Sequence, residues 1–145
     1  MSRITVAEFE EIMRESLPFA ASLGPEIIEL DPARVRLRMP YRSDLLRPGG
    51  TISGPMLMGL ADLAMYAIVL AAIGRVELAV TTNLNINFLR KPPPSDILAQ
   101  ARLLKLGKRL AVGEVELFSA AEPDMVAHVT ATYSIPPREE KYTVS

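Results

Sequence analysis

Gly54-Pro55-Met56-Leu57-Met58-Gly59-Leu60-Ala61-Asp62-Leu63-Ala64-Met65-Tyr66-Ala67-Ile68-Val69-Leu70-Ala71-Ala72-Ile73 runs for 20 residues with a single charge, Asp62, near its middle. Apolar side chains fall on every side of the implied helix rather than on one stripe, which marks a helix that needs cover all round. Ser53 suits the N-cap, Pro55 the first turn, and Gly74 the residue just past the end. The length approaches what a bilayer requires, but a central Asp costs about 2.5–3.5 kcal/mol there. No second apolar span accompanies it, and the chain beyond alternates like soluble strands, so the segment reads as a helix at the heart of a globular fold.

Downstream, Val76 to Leu89 turns to period two, and Ile97 to Leu106, Arg109 to Phe118 and Met125 to Ile135 are β-like stretches rich in Val, Leu, Ala and Thr. Gly107-Lys108 and residues 121–124 separate them. Upstream, Phe9, Ile12, Met13 and Leu17 keep helical spacing over Thr5 to Leu17, with Thr5 and Glu8 placed for a capping box. Glu26 to Leu30 and Val35 to Met39 read as a hairpin around Asp31-Pro32, and residues 40–53 carry loop chemistry. The order predicts an α+β fold, a curved antiparallel sheet wrapped around a long central helix. One sheet covers only part of such a helix, which points to a homo-oligomer for the rest.

With 145 residues the chain fits a single domain, residues 1–145, with its N-terminal helix within 1–20 and a loose polar tail over 137–145. A net charge of −1 gives no basic field for nucleic acid. The absence of cysteine excludes disulfides, thiolate metal sites and a cysteine nucleophile, and with no leader-like start it suggests a reducing, cytoplasmic setting. The lone histidine, His128, has no second histidine for a metal site or a triad, so no metal is expected.

Asp62 is the first candidate for chemistry. A carboxylate among Leu60, Leu63, Met65 and Ile68 must have partners or use its surroundings to tune its proton affinity. A structural Asp bonding to another element is the equal alternative. Ser53-Gly54-Pro55 offers free amides at a helix start, able to hold an oxyanion, against the plainer reading of an N-cap and turn. Asp62 lies about two and a half turns farther on, out of reach of the same atom on its own helix, so a second subunit would have to close the site. Over Thr81 to Phe88, alternation puts Thr82, Leu84, Ile86 and Phe88 on one face and Thr81, Asn83, Asn85 and Asn87 on the other. The Asn row suits an interface or the lip of a site, or plain solvent exposure. Lys105, Lys108 and Arg109, like Arg90 and Lys91, are small basic clusters suited to phosphates or to water.

Gly49-Gly50-Thr51-Ile52-Ser53-Gly54-Pro55, with Asp62 nine residues after Ser53, resembles the signature of the PaaI-like hotdog thioesterases. The Asn-Leu-Asn-Ile-Asn-Phe-Leu core of residues 83–89 and the stretch from Lys105 to Leu117 are similar to the same family. The resemblance implies a hotdog fold, dimers that share active sites, dimers often paired into tetramers, and hydrolysis of acyl-CoA thioesters with no cofactor beyond the CoA of the substrate. Asp62 matches the family's catalytic carboxylate, general base or nucleophile, and Gly54 its oxyanion amide. Thr81 falls where a Ser or Thr positions water, the Lys108-Arg109 turn matches regions that touch the CoA nucleotide, and Met58 lines the implied acyl tunnel. Asn83 and Arg47 complete the expected substrate-binding set.

Two positions depart from the pattern. The family's His-Gly-Gly is replaced by Ser53-Gly54-Pro55, and Arg47 stands where it has Asn. These exchanges keep a second expectation open, a non-catalytic acyl-CoA or acyl-carrier binding protein. A hotdog dehydratase would need a His near a carboxylate at the site, and His128 is badly placed for it.

Overall fold

The computed structural model describes residues 1–137; of the loose tail expected over 137–145, residues 138–145 lie outside the described residues. Thr5 accepts from the Glu8 amide while the Glu8 carboxylate accepts from the Thr5 amide, so the predicted capping box opens helix α1, Val6–Ser16. Pro18 then starts a second short helix, α2 (Pro18–Ser22), which the sequence reading did not separate from the first. Strands β1 (Glu26–Asp31) and β2 (Arg34–Met39) form the expected hairpin. The predicted loop that follows contains a small hairpin of β3 (Leu46–Arg47) and β4 (Thr51–Ile52), turned by Gly49 and Gly50 at φ 100° and 74°, a region favouring glycine.

Helix α3 spans Gly54–Ile73 as expected, between Ser53 and a Gly74 at φ 96°. It is long and apolar enough to cross a membrane, but most of it is buried within this fold. Strands β5 (Val80–Phe88), β6 (Ile97–Leu106), β7 (Leu110–Ser119) and β8 (Met125–Ser134) follow. β5 starts four residues later than the alternation suggested, because Val76 to Ala79 forms a turn closed by the Ala79 amide on the Val76 carbonyl.

All six long strands form one antiparallel sheet in the order β1-β2-β6-β7-β8-β5. Its inner face is laid out in cross-strand rows. Val35, Ala101, Val115, Val129 and Ile86 make one; Leu37, Ala99, Leu117, Ala127 and Phe88 make the next. Alanine recurs here because α3 lies across this face and needs room. Gly113 is the extreme case: a Cβ there would stand 2.6 Å from the Met65 sulfur and 2.8 Å from the Arg102 carbonyl oxygen. The result is a helix with sheet on one side, α1 and α2 beside it, and an unpaired edge at β5.

Candidate functional site

Asp62 sits on α3 where the helix passes the β5 end of the sheet, half-buried in a wall of apolar side chains. Its Oδ1 accepts two hydrogen bonds, from the Thr81 hydroxyl at 2.7 Å and the Tyr133 hydroxyl at 2.8 Å. The Tyr133 oxygen also lies 3.1 Å from the Asp62 carbonyl oxygen, so its single proton is shared between two acceptors, with the shorter contact to Oδ1. Burial, and then the neighbouring Asp62 carboxylate, pushes the Tyr133 phenol well above the ordinary tyrosine range, which keeps it a donor.

Thr81 reaches Asp62 through a correction to the predicted strand. The pairing of β5 with β8 slips between Thr81 and Asn83: Thr81 opposes Tyr133, and Asn83 opposes Thr132, with Thr82 bulged out. A bulge inverts the alternation upstream of it. Thr81 therefore joins Leu84, Ile86 and Phe88 on the inner face instead of the Asn face to which strict alternation assigned it.

A cavity of about 880 Å³ opens beside Asp62. Leu17, Phe19, Met58, Leu63, Leu78 and Leu84 supply its apolar wall, with Thr81, Tyr66 and Tyr133 among its few polar groups. The Tyr66 hydroxyl is spent on the Glu77 carbonyl at 3.0 Å, and burial pushes its pKa up to about 12. Of the residues singled out in the sequence, Asp62, Met58 and Thr81 thus meet in one place. Tyr133 was missed. Its signal was a tyrosine on the apolar face of a strand, whose hydroxyl must find an acceptor when buried.

The others lie elsewhere. Gly54 is the first residue of α3, eight positions before Asp62 and so about 12 Å away along the axis. Its amide has no acceptor within the helix, as at any helix start. The Phe88 ring packs over it, 3.2 Å from where a Cβ would stand. The Ser53 side chain makes no capping hydrogen bond, so the N-cap reading places the helix start correctly but not the role of the hydroxyl. Arg47 is exposed on β3. Asn83 faces out and accepts from Asn85 at 2.9 Å, so the Asn row bonds within itself on the outer face. Lys108 and Arg109 form the exposed β6–β7 turn at the end of the sheet where Leu110, Ser134 and Val80 align, the same end as Thr81. His128 lies on the outer face, 2.8 Å from Glu114, far in pairing from Tyr133. No group of three or more metal-type ligands occurs among the described residues.

A long helix laid across one face of an antiparallel sheet is the architecture of the hotdog fold. Residues 49–125 match the family model described as the Thioesterase superfamily, and the chain belongs to it. It is similar to a provisionally named esterase of Saccharolobus solfataricus, 28% identical over 116 residues, covering 79% of this chain and 75% of that protein. Among solved structures, a provisionally named thioesterase from Silicibacter sp. TM1040 is 44% identical with a TM-score of 0.84, covering 94% of this chain and 95% of that one. The E. coli PaaI protein from the phenylacetic acid degradation operon has a TM-score of 0.79 at 23% identity, covering 90% and 93%, a likeness of fold. The hotdog fold and the thioesterase family expected from the sequence are thus both found, and thioester hydrolysis is the general reaction class they support.

Proposed function

We propose that this protein hydrolyses acyl-CoA thioesters to the free acid and CoA, with Asp62 directing water at the thioester carbonyl. The observation that carries the reading is a carboxylate held by two hydroxyls in the wall of an apolar cavity. Water attacks the carbonyl carbon and gives its proton to Asp62. The tetrahedral oxyanion is held by the Gly54 amide, the carbon–sulfur bond breaks, and the CoA thiolate leaves and takes up the proton. Attack by Asp62 itself, through an anhydride that water then opens, has the same balance. Hydrocarbon acyl groups suit the cavity, because its tyrosine hydroxyls are already engaged.

A shared site follows from the separation of Gly54 and Asp62 along α3: a second copy supplies one to the other across a homodimer, which can pair again into a dimer of dimers. The open β5 edge, with Val80 and Phe88 more than half exposed, is the surface for that pairing. Lys108 and Arg109 take the CoA phosphates, and Arg47 and Asn83 line the approach. The setting is cytoplasmic, with no nucleic-acid or membrane partner, no metal and no cofactor apart from CoA.

Thiol release from short, medium, long and aromatic acyl-CoAs, beside Asp62→Asn, tests this. Hydrolysis by the wild type that the variant lacks supports it; turnover that survives in Asp62→Asn removes the mechanism. A second reading, a binding protein without chemistry, is favoured by Ser53 and Pro55 at positions the family gives to His and Gly. CoA binding with no thiol release from any ester would choose it.

A further inference from the structure

We infer that Tyr133 is a positioning residue for Asp62, which, together with Thr81, occupies carboxylate oxygen Oδ1 and leaves Oδ2 as the single oxygen available to water. The inference rests on the reading of Asp62 as the reacting carboxylate. It begins with a count of lone pairs. A carboxylate has about four acceptor positions, two on each oxygen. Both on Oδ1 are taken, by Thr81 at 2.7 Å and Tyr133 at 2.8 Å. Oδ2 accepts no hydrogen bond from the described residues, while Asp62 lines the cavity.

Tyr133 does more than fill an acceptor position. Its one proton lies between Oδ1 at 2.8 Å and the Asp62 main-chain oxygen at 3.1 Å, a shared contact that is shorter to the side chain. A hydroxyl that only needed an acceptor would be satisfied by the main-chain oxygen; the shorter bond to Oδ1 is the one that fixes the side-chain rotamer. The phenol itself is braced. Tyr133 is 2% exposed, its ring centroid lies 6.1 Å from that of Tyr66, and Tyr66 lies 6.0 Å from Phe9 of α1. Tyr66 is in turn fixed by its bond to the Glu77 carbonyl. Orientation is worth this support because displacing a reacting group by about 1 Å can cost about 100-fold in rate.

The test is steady-state hydrolysis of the best acyl-CoA by wild type, Asp62→Asn and Tyr133→Phe. Tyr133→Phe removes one oxygen and keeps the ring, so the packing against Tyr66 survives; a thermal melt checks this. The expected result for Tyr133→Phe is a kcat lowered about 10- to 100-fold with KM nearly unchanged, while Asp62→Asn stays inactive. Thr81→Val should lower kcat in the same way and Thr81→Ser should restore it. Wild-type kcat in Tyr133→Phe, or a loss confined to KM, overturns the positioning role alone. A wild type inert to all acyl-CoAs, or an active Asp62→Asn, removes the proposed reaction and this role with it.

Discussion

Phe19 of α2 rests on Gly59 of α3 so closely that a Cβ at residue 59 would stand 2.6 Å from the Phe19 ring. Both residues line the cavity beside Asp62. The contact is with the far end of a side chain that is 53% exposed, and such an end can swing away. Gly59→Ala should therefore not destabilise the fold. Removing glycine from a helix interior gains about 0.5–1 kcal/mol, so the melting temperature should hold or rise. The displaced ring opens the cavity mouth, and longer acyl groups should gain relative to short ones. A clear fall in melting temperature would show that Phe19 cannot move.

Gly113→Ala should behave oppositely. Its Cβ would meet the Arg102 carbonyl on the paired strand as well as the Met65 sulfur, and main chain in the middle of a sheet cannot step aside. Overpacking of this kind costs about 1–3 kcal/mol. Urea unfolding of the variant should show that loss, and an unchanged midpoint would mean that the sheet and α3 are less tightly apposed.

Glu114 on the outer face hydrogen-bonds to His128 and ion-pairs with Arg102; the His128 bond foremost, and then Arg102, hold its carboxyl below the usual range. In the acid range the folded state then binds fewer protons than the unfolded chain. The contribution is present above the unfolded value of about 4.3 and is lost as pH falls through the folded value. Thermal melts stepped from pH 7 to pH 3 should show wild type above Glu114→Gln at the start and the gap closing in acid. A gap that stays constant would contradict this.

At the alkaline end the sign reverses. Tyr66, pushed up to about 12 by burial and then by the Glu77 charge, favours folding below the unfolded value of about 10, and this is lost as pH rises through about 12. Tyr66 should accordingly be silent between pH 9 and 11. Tyrosinate absorbance in that window should be the same in wild type and Tyr66→Phe, provided both stay folded; a deficit in the variant would place the titration lower.

The central helix was the most legible part of the sequence, since 20 residues apolar on all sides admit few other arrangements once a membrane is set aside. The capping box and the Gly74 stop were readable for the same reason: their physics is local. The site was only half legible. Asp62 stood out as a lone charge among apolar neighbours, yet its partner Tyr133 lies 71 positions away, and only the sheet brings it near. Thr81 was noticed but given the wrong face, because a bulge follows from strain and twist in a paired ladder and leaves no mark on the alternation of one strand. The α1–α2 break was available in Pro18, a residue that starts helices more readily than it continues them.

The slip at Thr82 divides β5 into two independent jurisdictions. Upstream, residue 81 answers to the helix; downstream, residues 83, 85 and 87 answer to the outer surface. Loss of residue 82 would remove the slip and leave Thr81 directly before Asn83, still opposite Tyr133 and still facing Asp62. The extra residue therefore serves the local twist of this edge strand rather than the aim of the hydroxyl.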